Sequence, residues 1–421
     1  MVDSVVAEVR LWNRRVGAIA EEGDGTVTFE YEPGFTRAGL EISPFTLPLS
    51  QKGPVSFPEL TRIEAFQGLP GVLADALPDR FGTAVIARDF AERGTKDSAG
   101  SPVRKLLYMG SGCLGALEFE PALRFPSLAA DQEPLAISAL VEQARTLVEG
   151  RANVSIPEIL RIGAPAGGAR PKAVILWNQG RNEVRPAFVA PRSGDEHWIV
   201  KFDGVGELGA PDETPKPYNR IEYAYSLMAR SAGLDVPQSQ LLEERGYAHF
   251  LSKRFDREGG RRLHLHSLGG MRHLDYNSRG QFSYEQYLRT VLALGLGYPA
   301  LEEAFRRTVF NIAAVNQDDH VKNFAFLMDE FGAWRLAPAY DLTYARGLGP
   351  TRAHQMSLGG KTGRFVREDL LALGKTMGLR KGGAALLEGV IAALREWERF
   401  AAEAGVHANR VRFIASEFRL V

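Results

Sequence analysis

The order of local patterns constrains this chain most. Between residues 173 and 253 three short β-rich runs, 173–177, 198–202 and 248–253, enclose one helical segment, 219–231, and from Ser283 the chain turns helical. Strands followed by helices point to a two-lobed α+β domain. The helix over 219–231 has an ordinary exit, with Gly233 beyond its last turn and Pro237 further on. Ser283 and Gln286 have the spacing of a capping box for a helix reaching Leu294, and residues 301–315 continue the pattern.

The N-terminal part reads differently. Residues 5–11, 16–20 and 26–31 have strand character, separated by the turn compositions Asn13-Arg14 and Gly23-Asp24-Gly25. Leu73 to Phe81 opens a helical stretch to about Arg93, residues 121–134 are irregular and polar, and residues 135–149 carry apolar residues at helical spacing. The expected organisation is a small N-terminal domain over 1–125, a strand-rich lobe over 135–260 and a helical lobe over 261–421. With 421 residues, 45% hydrophobic, there is ample material for such cores.

The balance of 51 basic against 51 acidic residues gives no global field toward nucleic acid or an anionic membrane. Cys113 is the only cysteine, which excludes an internal disulfide and a cysteine-built zinc site. The start, Met1-Val-Asp-Ser-Val-Val-Ala-Glu, lacks the features of a signal peptide, and no apolar stretch approaches the roughly 20 residues that span a bilayer. The expectation is a soluble, cytoplasmic protein with no membrane partner.

The chemistry concentrates in Asn316-Gln-Asp-Asp-His-Val-Lys-Asn323. Asp318 and Asn323 stand in the D-x-x-x-x-N relation of a kinase catalytic loop, where the aspartate accepts the substrate hydroxyl's proton and the asparagine oxygen binds a metal. An apolar run over 324–328, a turn Asp329-Glu-Phe-Gly332 and a second run over 333–337 read as a hairpin. Its closure brings Asn323 toward Pro338, and Asp341 follows three residues later. An amide oxygen and a carboxylate can then flank one hard cation, and Mg²⁺ suits such oxygen donors. The plainer alternative is that Asp318, Asp319 and His320 form a polar loop and Asp341 caps a turn. His320 and Lys322 either touch phosphate or are ordinary loop side chains.

A nucleotide site needs more cations and backbone donors. Lys201 lies on a β-branched and aromatic strand, where an anion would explain it, although an edge-strand lysine facing water is common. Gly163-Ala-Pro-Ala-Gly-Gly-Ala-Arg-Pro-Lys172 is a flexible loop that can turn N–H groups toward phosphate, with Gly167 and Gly168 in its bend and Arg170 and Lys172 adding charge; an ordinary glycine-rich turn is the alternative. In Lys253-Arg-Phe-Asp-Arg257 the backbone at Lys253 and Phe255 would meet adenine and Asp256 the ribose, while a surface ion pair accounts for the charges equally well. Glu222, on the helix after Lys201, either pairs with that lysine or is solvated.

Together these segments resemble the HipA-like serine/threonine kinases. The matching pieces are Gly167-Gly-Ala-Arg-Pro-Lys172, Trp198-Ile-Val-Lys201-Phe, Tyr218-Asn-Arg-Ile-Glu222-Tyr, Arg254-Phe-Asp-Arg257, Asp318-Asp-His-Val-Lys-Asn323 and Ala337-Pro-Ala-Tyr-Asp341. Leu77-Pro-Asp-Arg-Phe-Gly82 and Gly112-Cys-Leu-Gly-Ala-Leu117 resemble that family's N-terminal domain. The resemblance implies a small N-terminal β-rich domain packed on a two-lobed protein-kinase-like core with a helical C-lobe. It implies Asp318 as catalytic base, Asn323 and Asp341 as Mg²⁺ ligands, Lys201 as an ATP phosphate ligand, and nucleotide contacts from Lys172 and from residues 253–256. It also implies a toxin of a toxin–antitoxin pair whose partner is a small helix-turn-helix antitoxin (HipB-like). Operator DNA is then met through that complex, and the substrate class includes aminoacyl-tRNA synthetases. The family commonly carries a self-phosphorylated serine in the glycine-rich loop. The matching position here is Pro165, preceded by Ala164, so self-inactivation there is expected to be absent or moved to a residue such as Ser155. A small-molecule hydroxyl kinase and an antitoxin-bound corepressor with a kinase fold are the competing readings.

Overall fold

Three antiparallel sheets carry the architecture, and a computed structural model describes them over residues 4–94, 100–123, 134–150, 170–187, 189–206 and 217–419. In the first sheet, β1 (Val5–Leu11) turns Ala7, Val9 and Leu11 inward by simple alternation. It pairs with β2 (Arg14–Glu21) and β5 (Leu117–Glu120), and β3 (Val27–Tyr31) and the two-residue β4 (Val55–Ser56) complete the order β4-β3-β2-β1-β5. The stretch expected to be helical from Leu73 is two helices, α1 (Gly71–Ala74) and α2 (Arg80–Glu92). Pro78 intervenes, and Asp79 restarts the helix by accepting a 2.6 Å hydrogen bond from Gly82 N–H.

The second sheet has the order β7-β6-β8-β10-β9, from β6 (Lys172–Asn178), β7 (Glu183–Pro186), β8 (Asp195–Lys201), β9 (Ser239–Glu244) and β10 (Tyr247–Lys253). Helix α3 (Ile137–Val148) covers it, and Leu140, Val141 and Ala144 share a core with Ile175, Trp198 and Val200. Phe81 and Val85 of α2 enter the same core, so the N-terminal domain is packed directly on this lobe. Helix α4 (Tyr218–Ser231) follows β8, and Gly233 at φ +79° turns the chain out of it.

After the short strands β11 (Arg257–Glu258) and β12 (Arg261–Arg262), the third sheet has the order β13-β14-β15: β13 (His264–Ser267), β14 (Ala325–Met328) and β15 (Trp334–Leu336). The helical lobe includes α5 (Tyr284–Ala293), which begins with the capping box of Ser283 and Gln286, and α6 (Gly297–Ala313). No helix among the described residues is long and apolar enough to cross a membrane.

The N-terminal domain meets the helical lobe through a buried polar seam. Asp75 accepts from Ser267 N (2.7 Å), Ser267 Oγ (2.6 Å) and His266 Nδ1 (2.7 Å), and the other ring nitrogen of His266 lies 2.9 Å from Ser43 Oγ. Asp75 can sit so close only because two glycines meet beside it. A Cβ on Gly71 would lie 2.0 Å from the Gly270 carbonyl oxygen. Gly71→Ala is therefore expected to cost about 3 kcal/mol by forcing two backbones apart. Urea unfolding measures this, and a loss under about 0.5 kcal/mol, the size of a neutral surface change, would contradict it.

Candidate functional site

The loop after α6 is pinned from within. Asp319 is fully buried and accepts from Tyr284 OH (2.6 Å), His354 Nδ1 (2.7 Å) and Gln355 N–H (2.7 Å). Its neighbour Asp318 stays partly exposed and lines a cavity, with Oδ1 accepting a 3.2 Å bond from Gln355 Nε2. Asn323 donates its Nδ2 to the Asp318 carbonyl at 2.8 Å, which commits its nitrogen to the loop and leaves its oxygen as the free donor to a ligand.

The hairpin expected from the sequence is present. Phe326, Leu327 and Met328 pair with Leu336, Arg335 and Trp334, Ala337 N–H closes onto the Ala325 carbonyl at 3.0 Å, and Gly332 at φ +86° makes the turn. Tyr340 OH then donates to the Lys322 carbonyl at 2.5 Å, tying the loop of Asp318 and Asn323 to the segment that carries Asp341. Asp341 sits at φ +53°, a left-handed conformation uncommon outside glycine but several-fold enriched for Asp and Asn.

Lys201, at the end of β8, joins the pieces. Its ammonium donates to Glu222 Oε1 at 2.5 Å and also to Asp341 Oδ1. Glu222 is buried on α4, whereas Asp341 keeps 32% of its side chain open. Burial opposes the lysine's charge, but Asp341 and Glu222 outweigh it and raise its pKa. Burial likewise pushes the Asp341 carboxyl up, but Lys201 and Lys172 hold it well below the usual carboxylate range. The ion pair expected between Glu222 and Lys201 is thus present, with Asp341 as a second anion on the same lysine.

These groups line a cavity of about 950 Å³ between the lobes, together with Lys172, Lys253, Phe255, His320, Lys322 and the N-terminal residues Asp79 and Leu114. Phe255 stacks on Tyr340, with centroids 5.6 Å apart. His320 lies beside the Tyr276 ring, and Lys322 Nζ is 5.3 Å from that ring's centre. Lys253 borders the cavity but pairs with Glu196 at 2.5 Å. The glycine-rich segment, with Gly167, Gly168, Ala164 and Pro165, lies outside the described residues, as does Ser155; Arg170 and Lys172 are inside them.

One expectation needs correcting. Asp256 borders the cavity yet is not free to receive a ribose. Oδ1 accepts from Arg254 Nε (2.9 Å), and Oδ2 from Arg254 Nη2 (2.6 Å), Arg257 Nη1 (2.7 Å) and Gly115 N–H (2.6 Å). Burial pushes its carboxyl up, but the two guanidiniums hold it far below the usual range. It anchors the N-terminal loop 112–116 to the strand end, a task that the local sequence does not reveal. Sequence reasoning also missed the part of Tyr284, His354 and Gln355, whose only signal is tertiary.

Among the described residues no three His, Cys, Asp or Glu side chains form a metal-ligand cluster. The oxygen donors at hand are the Asp341 carboxylate and the Asn323 amide. Such a pair suits a cation that completes its shell with water and phosphate, as Mg²⁺ does, better than a zinc cage.

The anchoring role of Asp319 is directly testable. Asp319→Ala orphans three buried donors and is expected to cost about 3 kcal/mol in chemical denaturation. A cost below about 1 kcal/mol, no more than one ordinary hydrogen bond, would mean that the loop is held by something else.

Comparison with known proteins places the chain in a family. Residues 164–419 match the model of the HipA-like C-terminal domain and residues 7–120 that of the HipA N-terminal domain. A provisionally named kinase of Haemophilus influenzae is 29% identical over 167 residues, covering 35% of this chain and 47% of its own, so the chain spans about half of that relative. Another provisionally named kinase, from Sinorhizobium fredii, is 25% identical over 355 residues, covering 80% of this chain and 76% of its own. HipA of Shewanella oneidensis, solved with HipB and its operator DNA, superposes with a TM-score of 0.65 at 18% identity, covering 97% of this chain and 94% of that one, a likeness of fold. With both family models matched in order and the C-terminal one covering more than half of the sequence, the chain belongs to the HipA family.

Proposed function

We propose that the protein is an ATP- and Mg²⁺-dependent serine/threonine-protein kinase and the toxin of a HipA/HipB-like pair. The observation that carries this reading is the meeting of Lys201 with Glu222 and Asp341 in a cavity also lined by Asp318 and Asn323. A lone surface lysine would need neither carboxylate. A buried ammonium flanked by two of them, facing open space, is suited to exchange part of its bonding for phosphate oxygens.

Magnesium-bound ATP would supply the transferable phosphoryl group and the positive charge that offsets the charge developing on it. The chain's own contribution is positional. Lys201 holds phosphate oxygens, kept in place by Glu222. Asp341 and the Asn323 oxygen hold the cation. Asp318, with one carboxylate oxygen fixed by Gln355, aligns the acceptor hydroxyl and takes its proton. Phe255, stacked on Tyr340, offers an apolar face at the cavity wall for the base.

The Shewanella protein was solved with HipB and operator DNA. That supports a helix-turn-helix antitoxin as partner, and the zero net charge of this chain favours DNA contact through such a partner. A protein acceptor, an aminoacyl-tRNA synthetase among the candidates, belongs to the same reading.

Asp318→Asn is the discriminating variant. It is expected to lower phosphoryl transfer to protein acceptors by at least about 10²-fold while leaving affinity for a non-hydrolysable ATP analogue within about threefold. Labelled-ATP transfer and calorimetry measure the two. Wild-type transfer by the variant would overturn the assignment of the base.

A further inference from the structure

Lys172 and Lys201 face each other directly in the register of β6 and β8. Residues opposed across an antiparallel ladder have Cβ atoms about 4.5–5.5 Å apart, and like charges there repel. Each ammonium therefore needs an anion of its own. Lys201 has Glu222 and Asp341. Among the described residues Lys172 makes one ion pair, at 3.3 Å with Asp79 Oδ2, and the two side chains are only 6% and 1% exposed.

Asp79 is contributed by the N-terminal domain. Its Oδ1 is committed to capping α2 through Gly82 N–H, while Oδ2 is buried without a hydrogen-bond partner among the described residues. The approach to Lys172 is thus an ion pair without an aligned hydrogen bond, and it is what that oxygen has. Phe81 and Val85 lock α2 into the core beneath β6 and β8, so the carboxylate is fixed and the flexible lysine adjusts to it. Both residues line the same cavity as Lys201 and Asp341. Burial pushes the Asp79 carboxyl up, against the pull of Lys172, to about 6, which leaves it mostly ionised at neutral pH.

We propose that Asp79 is a positioning residue of the nucleotide site: it holds the Lys172 ammonium at the cavity wall from the N-terminal domain, as Glu222 holds Lys201 from α4. The inference rests on the reading of the cavity as a nucleotide site. Without Asp79, Lys172 is a buried cation beside another cation, and the nearest carboxylates already serve Lys201. It then sheds its proton or leaves the wall. Either way the phosphates lose one of two cations, and the N-terminal domain is a working part of the cleft.

The test is calorimetry on the full chain with Mg²⁺ and a non-hydrolysable ATP analogue, a readout independent of turnover. Asp79→Asn removes the charge but keeps a capping side chain, and Asp79→Ser serves the same purpose should the first variant fold poorly. Binding is expected to weaken about tenfold, the size of one charge-assisted contact. Lys172→Met should weaken it similarly, and the double variant should lose nothing further. Wild-type affinity in Asp79→Asn, tighter binding because a competing anion has gone, or equal losses in the Lys172→Met and wild-type backgrounds would each overturn the proposal. Absence of nucleotide binding by the wild type would instead sink the nucleotide-site reading itself.

Discussion

Two lysines standing side by side on neighbouring strands set the terms for everything around them. Lys172 and Lys201 are buried enough that neither can rely on water, and close enough to repel. The fold answers with carboxylates from three separate places: Glu222 on α4, Asp341 after the hairpin, and Asp79 at the head of α2. Three carboxylates around two ammoniums leave a local excess of negative charge. On the proposed function, an incoming cation would relieve that excess and phosphate would then share the lysines. The same arrangement ties the strand-rich lobe, the helical lobe and the N-terminal domain to one point.

The N-terminal domain is therefore more than a neighbour. Asp75 is satisfied by Ser267 and His266 of the helical lobe, and Asp256 at the cavity's edge receives a bond from Gly115 of the N-terminal loop. Polar groups buried this way are costly unless each is paired, so the seam tolerates little slippage and fixes a unique docking. A fixed seam is what would allow Asp79 to hold Lys172 in the neighbouring lobe.

Much of this was legible in the sequence, for reasons that differ between segments. The capping box at Ser283 and the hairpin around Asp329-Glu-Phe-Gly332 are local devices, and they form as their residues dictate. The runs 173–177 and 198–202 are recognisable by β-branched and aromatic composition, whereas Lys172, read as the end of the glycine-rich loop, is the first residue of β6. Strand β9, Ser-Gln-Leu-Leu-Glu-Glu, escaped because an edge strand carries polar residues, and β13 because the hydrogen bonds of its buried histidines run to Ile42, Ser43 and Asp75 of the N-terminal domain. Asp256 was misassigned for the same reason: its four donors include a backbone N–H 141 residues away in sequence. Composition sees charge, and only tertiary structure sees who meets it.

The central claim is that Asp318, Asn323, Asp341 and Lys201 surround the reacting end of a nucleotide. A crystal structure with Mg²⁺ and a non-hydrolysable ATP analogue tests it most directly. The cation is expected on the Asp341 carboxylate and the Asn323 oxygen, phosphate oxygens on Lys201, and the terminal phosphate facing Asp318. A nucleotide bound elsewhere, or a cation that avoids both Asp341 and Asn323, would contradict it.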